Sequence, residues 1–113
     1  MIDTYWRFDD KTKEEIFDYL SKYGCENNME QNQNSSPTVK EFLAMSEKHK
    51  KVLYSGYVIE KPRDDYRVSI DAVSILELTA DEALDMMEEF ASSDSLGHTK
   101  QEDGTYTVSA WWD

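Results

Sequence analysis

The sequence contains one cysteine, Cys25, and two histidines, His49 and His98, which stand apart among polar neighbours. An internal disulfide is therefore excluded, and the spacing of zinc ligands is missing. Nucleophilic catalysis has no Ser-His-Asp or Cys-His pattern to use. The four glycines form no phosphate-binding loop, and no EF-hand pattern is present. These absences predict no metal and no cofactor, and they favour a binding protein over an enzyme.

Long apolar runs are also missing. The N-terminal stretch MIDTYWRFDD lacks the basic start and apolar segment of a secretory signal. No apolar run approaches the roughly 18 residues that a membrane-crossing helix needs. Together with the single cysteine, this pattern predicts a cytoplasmic protein in a reducing setting, without membrane contact.

Positive charge is scarce, because 12 basic residues stand against 24 acidic ones, giving a net charge of −12. Such a surface repels phosphate backbones, so direct binding of nucleic acid is disfavoured. Two interpretations remain open. The charge serves solubility alone, or it attracts a protein partner with a basic surface.

With 113 residues, the chain is predicted to form a single domain, 1–113. The central stretch 52–76 alternates like two strands of a hairpin, with a polar turn at 61–65. The other predicted elements are a strand at 2–8, a helix at 11–23, a short helix from Thr38, a helix over 79–92 and a C-terminal hairpin turning at Asp103-Gly104. The Asn/Gln-rich tract 25–36 is predicted to be a flexible loop outside the core.

This order predicts an α+β fold of two layers. Without the extra short helix and a short strand near 97–102, it reads βαββαβ, the ferredoxin-like arrangement, with helices on one face of an antiparallel sheet. Each helix start carries a threonine followed three residues later by a glutamate, the pattern of a capping box. These pairs are Thr12 with Glu15, Thr38 with Glu41, and Thr79 with Glu82.

The helix at 79–92 is the first candidate site. Its apolar stripe is predicted to face the core and comprises Ala80, Ala83, Leu84, Met87, Phe90 and Ala91. Between 77 and 94 the sequence has no lysine or arginine but seven carboxylates: Glu77, Asp81, Glu82, Asp85, Glu88, Glu89 and Asp94. Asp81, Asp85 and Glu88 follow the i, i+4, i+7 spacing of one helix line. Such a row resembles a line of phosphates, although a solvated face is the plainer interpretation.

The sheet face away from the helices is the second candidate. Strand alternation places Tyr5, Arg7, Arg67 and Trp111 there. These residue types anchor protein interfaces, so a homodimer or another protein complex is possible through this face. RNA stacking is disfavoured by the net charge. Cross-strand pairing without any partner is the alternative.

The leading hypothesis is a small acidic inhibitor that occupies the basic surface of a nucleic-acid-handling protein as a nucleic-acid mimic. In general character the chain is similar to the acidic inhibitors that phages and mobile elements direct against nucleases, restriction enzymes and CRISPR effectors, including anti-CRISPR proteins. This likeness is one of composition. The alternatives are an immunity, antitoxin or regulatory module that pairs through its sheet face, and a small-ligand binder that uses a cleft between sheet and helices.

Overall fold

A computed structural model of the chain describes residues 5–30, 37–60 and 66–112. In these ranges the fold is α+β, with a five-stranded antiparallel sheet and three α-helices. The strands are β1 (Tyr5–Lys11), β2 (Lys51–Ile59), β3 (Arg67–Leu78), β4 (Ser95–Lys100) and β5 (Tyr106–Trp111), and the helices are α1 (Lys13–Lys22), α2 (Val39–Ala44) and α3 (Ala80–Glu89). Short 3-10 helices occupy Glu26–Glu30 and Met45–Glu47. Across the described ranges, no helix has the length and apolar character needed to traverse a lipid bilayer.

All three α-helices begin as the sequence predicts. Each threonine side chain accepts a hydrogen bond from the backbone N–H three residues later, and each glutamate accepts one from the threonine N–H. At α3 the two bonds between Thr79 and Glu82 measure 3.0 and 3.2 Å. The capping boxes therefore fix where the helices start.

Replacing Thr79 by alanine is expected to destabilise the protein by about 1 kcal/mol at neutral pH, because the first turn of α3 loses an N-cap acceptor. The N–H and hydroxyl of Thr79 hold the pKa of Glu82 below its ordinary 4.5. A lowered folded-state pKa gives stability that is present above the unfolded pKa and lost as pH falls through the folded one. In the variant, the pKa of Glu82 should move part of the way back towards 4.5, as a carboxyl NMR titration would record.

Ser92→Ala is the matched control, since Ser92 is exposed beyond the end of α3. The free energy of unfolding of this control, measured in urea, should agree with that of the wild type within about 0.5 kcal/mol. Equal stability of the Thr79 and Ser92 variants would show that the α3 cap contributes nothing.

The strand order is β1-β2-β3-β5-β4, and every pair is antiparallel. This order does not confirm the ferredoxin-like topology, in which a split β-α-β crossover places parallel strands around each helix. Here β1 and β2, which flank α1 and α2, pair directly, with Tyr5 opposite Ile59 and Phe8 opposite Gly56. Alternation predicts which face a side chain occupies, but not which strand lies alongside.

The core lies between the helices and one face of the sheet, as predicted. Trp6 and Phe8 of β1 point to this side, whereas Tyr5 and Arg7 point away. All three helices contribute to one buried cluster: Ile16 and Leu20 from α1, Val39, Phe42 and Leu43 from α2, and Ala83, Met86 and Phe90 from the α3 segment. The helices therefore cover a single face, and the opposite face carries no α-helix within the described ranges.

The predicted flexible loop lies only partly within the described residues, because 31–36 fall outside them. Cys25 has no exposed surface and Met29 packs against the core. The Asn/Gln-rich tract therefore supplies core side chains at its start, which its lack of apolar periodicity did not predict. The predicted turn at 61–65 also lies outside the described residues, but the strands on either side pair as a hairpin from Ile59 and Arg67.

Irregularities in the strands shape both faces of the sheet. Between β2 and β3 the register shifts at Ser55 and Gly56, so that Asp71 is an extra residue in β3. A Cβ on Gly56 would collide with the carbonyl oxygen of Ser69. A further shift in β3 coincides with a positive φ of 58° at Glu77, just before α3. This bulge ends the pairing of β3 with β5, and the chain then continues into α3.

Candidate partner-binding surfaces

The carboxylates of α3 lie on one exposed side of the helix. At about 100° per residue, the five within the helix fall inside an arc of about 120°. These are Asp81, Glu82, Asp85, Glu88 and Glu89, all of them exposed. Glu77 and Asp94 are also exposed, and they stand before and after the helix. The structure therefore brings the five carboxylates of α3 to a single surface, called the acidic face below, and Glu77 and Asp94 lie outside the helix.

The acidic face carries no cation of its own helix, although Lys48 lines a cleft with Glu89, and Lys50 lines a depression with Glu77. Neither lysine nor arginine occurs in α3, and its five carboxylates form no ion pair with any residue in the described part of the chain. Glu82 alone engages its carboxylate locally, in the capping box. Asp81 and Glu82 suit the positive end of the helix dipole, but Glu88 and Glu89 stand at the negative end. The helix dipole therefore disfavours two of the five carboxylates.

The predicted core stripe of α3 is correct for Ala83 and Phe90 and wrong for Ala80, Leu84 and Ala91. Ala83, Met86 and Phe90 are buried, whereas Leu84 is 66% exposed. Met87 is only partly buried, and Ala80 and Ala91 are exposed. The helix carries two adjoining apolar stripes, one buried against the core and one left unburied. The predicted stripe combined residues of both. The unburied stripe runs beside the acidic face.

This second stripe forms one side of a shallow groove of about 340 Å³, called the Leu84 groove below. Its other side comes from the sheet, where β4 and β5 approach the helix. The lining residues are Ala80, Ala83, Leu84, Met87, His98 and Tyr106. Sequence reasoning missed the groove, since it joins side chains from three elements.

On the opposite side of the sheet, the predicted residues Tyr5, Arg7 and Arg67 converge around two others. Arg7 donates two hydrogen bonds to the carboxylate of Asp71, at 3.0 and 3.2 Å. Arg67 donates to the hydroxyl of Tyr57 at 3.1 Å and also lies over its ring, 5.4 Å from the centroid. The Tyr5 ring lies 5.6 Å from the same tyrosine. These cross-strand contacts match the alternative interpretation, in which the residues stabilise the sheet itself.

Asp71 is central to this cluster and only 6% exposed. Its hydrogen bonds and charge raise the pKa of Arg7, so the guanidinium stays protonated at every physiological pH. A two-pronged pair between Arg7 and Asp71 fixes the geometry of both side chains. The ion pair fixes Arg7 on the sheet face although its side chain stays 41% exposed. Tyr5 and Trp111 offer the exposed aromatic surface, at 48% and 40%.

A cleft of about 490 Å³ lies between α2 and the end of α3. Phe90 and Trp112 line it together with Lys48 and Glu89. Its size falls in the range of small-molecule pockets, about 300 to 1,000 Å³, so it is where a small-ligand role would reside.

Cys25 is buried, and its thiol donates to the carbonyl of Tyr23 at 3.4 Å. Within 5–30, 37–60 and 66–112, no three His, Cys, Asp or Glu side chains are arranged to hold a metal ion.

No protein-family model matches the chain, and no curated protein or solved structure is significantly similar to it.

Proposed function

We propose that this protein is an inhibitor that docks its acidic face onto the basic, nucleic-acid-binding surface of a partner protein and thereby excludes the nucleic acid. The observation that carries the proposal is the exposure of five carboxylates on one side of α3 with no cation among them. Phage or mobile-element proteins that counter restriction or CRISPR systems are the class of inhibitor it would belong to. A cytoplasmic location is part of the proposal.

The charge density of α3 supports mimicry of a nucleic-acid strand. From Asp81 to Glu89 the helix rises about 12 Å, at 1.5 Å per residue, so its five carboxylates stand about one per 3 Å. A strand of B-DNA carries one phosphate charge per roughly 3.4 Å of rise. A groove that binds phosphates therefore meets a similar density of negative charge on this helix.

The position of these charges also argues against a purely stabilising role. Glu88 and Glu89 oppose the helix dipole, and Asp81, Asp85 and Glu88 repel one another at helical spacing. Each contact of this kind costs a few tenths of a kcal/mol. Solubility needs negative charge somewhere on the surface, but it does not need that charge in a line on one helix.

Reversing Asp81, Asp85 and Glu88 together to lysine is expected to abolish inhibition. Proteins of a cell lysate are bound to immobilised duplex DNA and then challenged with the tagged chain, and the released proteins are identified by mass spectrometry. The wild type should release a defined subset, and the triple variant should not. For the purified released protein, affinity for the variant should fall by about 100-fold. Wild-type affinity should decrease steeply between about 0.05 and 0.5 M salt.

The matched control reverses three exposed carboxylates outside α3, namely Asp9, Asp18 and Glu102. Each reversal adds two positive units, so both triple variants carry a net charge of −6 instead of −12. The control should release the same proteins as the wild type. Equal release by both triple variants, or no release by the wild type, contradicts the proposal.

Pairing through the sheet face is the second candidate, and the exposure of Tyr5 and Trp111 favours it. The double variant Tyr5→Ser, Trp111→Ser in the same release experiment separates the two. Under the first candidate this variant remains active. Under the second it loses its partner, and binding depends little on salt because aromatic contacts dominate it.

A further inference from the structure

The Leu84 groove is an apolar surface set directly beside the acidic face. Leu84 is 66% exposed, more than Phe17 at 43% or Tyr5 at 48%. On the helix, Asp81 precedes Leu84 by three residues and Glu88 follows it by four, so both carboxylates are its surface neighbours. Asp85 lies on the same side of the helix as Asp81 and Glu88. An exposed leucine surrounded by carboxylates on one side and an apolar groove on the other is a composite surface.

We propose that this composite surface binds a cationic segment of the partner protein that inserts an aliphatic side chain into the Leu84 groove. The inference rests on the proposed function and specifies the chemistry of the partner. Lysines or arginines of the segment pair with Asp81, Asp85 and Glu88, while its apolar residue packs against Leu84 and Met87. The charge of the rim selects a cationic occupant over a neutral or acidic one.

The groove also explains how an acidic helix recognises one partner rather than every basic surface. Charge attraction speeds association and weakens with salt, but it discriminates poorly between cationic proteins. Burial of an aliphatic side chain in a fitted groove adds affinity that salt does not screen. The groove is therefore the specificity element, and the acidic face is the steering element.

Synthetic peptides provide the test. The probe is a helical peptide with lysines on one face and leucines on the other. A second peptide replaces its leucines with alanine, and a third replaces its lysines with glutamate. Fluorescence anisotropy measures affinity for the wild type, for Leu84→Ser and for the control Phe17→Ser, which removes an exposed apolar side chain from another helix, α1. The triple variant Asp81→Lys, Asp85→Lys, Glu88→Lys is measured in parallel.

The wild type and Phe17→Ser should bind the Leu/Lys peptide about 10- to 100-fold more tightly than the Ala/Lys peptide, the range expected for burying one leucine. Leu84→Ser should bind the two cationic peptides alike. The slope of affinity against salt should be unchanged in Leu84→Ser and shallower in the triple variant, because only the latter removes ionic contacts. Amide NMR shifts should map the Leu/Lys peptide to α3, His98 and Tyr106.

The outcomes separate the two proposals. If the wild type binds both cationic peptides equally while the triple variant loses them, the groove inference fails and the acidic-face proposal stands. If the Leu/Glu peptide binds as well as the Leu/Lys peptide, charge complementarity fails and both fall. Shifts mapping away from α3, or no binding of the Leu/Lys peptide at about 1 mM, overturn the groove inference.

Discussion

Replacing Gly56 by alanine is expected to destabilise the protein by about 3 kcal/mol or more, a large share of the stability of a domain of this size. Gly56 lies in β2, where the bulge at Asp71 brings the backbone of β3 unusually close. An added Cβ would collide with the carbonyl oxygen of Ser69 and lie 2.9 Å from the Cα of Ile70. Because both obstacles are backbone atoms in a paired strand, no side-chain rotation relieves them.

Gly97→Ala in β4 is the matched control, since a Cβ there meets no atom within 4 Å. Alanine restricts the unfolded chain more than glycine does, so this control should be neutral or stabilising by about 0.5 kcal/mol. Urea unfolding followed by circular dichroism measures both variants. If Gly56→Ala unfolds at the wild-type midpoint, the close approach of β2 to β3 is wrong.

Replacing Trp112 by alanine is expected to cost about 4 kcal/mol, within the range for removing a buried large aromatic side chain. Trp112 is 2% exposed and joins three parts of the fold. Its ring meets that of Phe42 in α2 at 5.5 Å and that of Phe90, just beyond α3, at 5.7 Å, both edge to face. Its backbone N–H donates to the backbone carbonyl of Asp71 at 2.8 Å. Truncation therefore opens a cavity between both helical segments and the sheet.

The neighbouring tryptophan gives an internal control. Trp111 points to the opposite face and is 40% exposed, so Trp111→Ala should cost about 1 kcal/mol or less. Trp112→Phe should cost less than half as much as Trp112→Ala. The phenyl ring keeps the aromatic contacts, and the indole N–H that it removes has no hydrogen-bond partner in the described part of the chain. If Trp111→Ala and Trp112→Ala lose similar free energies of unfolding, the assignment of the two tryptophans to opposite faces of the sheet is wrong.

The features that depend on local sequence were predictable. A threonine and a glutamate three residues apart determine a capping box by their own backbone geometry, so all three helix starts were predicted correctly. The orientation of the β1 side chains followed from strand alternation, which put Trp6 and Phe8 in the core and Arg7 outside it. The C-terminal hairpin followed from Asp103-Gly104, and Gly104 indeed adopts a positive φ of 88°.

The features that depend on contacts between distant residues were not predictable. Alternation leaves the neighbour of each strand open, so the pairing of β1 with β2 was missed. The bulge at Asp71 was not predicted, although a glycine inside a strand, such as Gly56, is typical of a bulge or a close backbone approach. The ion pair between Asp71 and Arg7 spans 64 residues. At the candidate site, the acidic side of α3 was predicted from its charge imbalance and from helical spacing. The exposure of Leu84 was not found, because it depends on how far α3 rotates against β4 and β5.

The strand order has a consequence for the kinetics of folding. Strands β2 and β3, and likewise β4 and β5, are hairpin neighbours, so their pairing requires only short loops to close. The two remaining ladders join distant parts of the chain, because β1 pairs with β2 from Tyr5 to Ile59, and the last strand, β5, inserts between β3 and β4. Non-local pairing of this kind raises contact order and slows folding. The two hairpins are therefore expected to form first, and the addition of β1 and the docking of β5 against β3 are expected to be the slower steps.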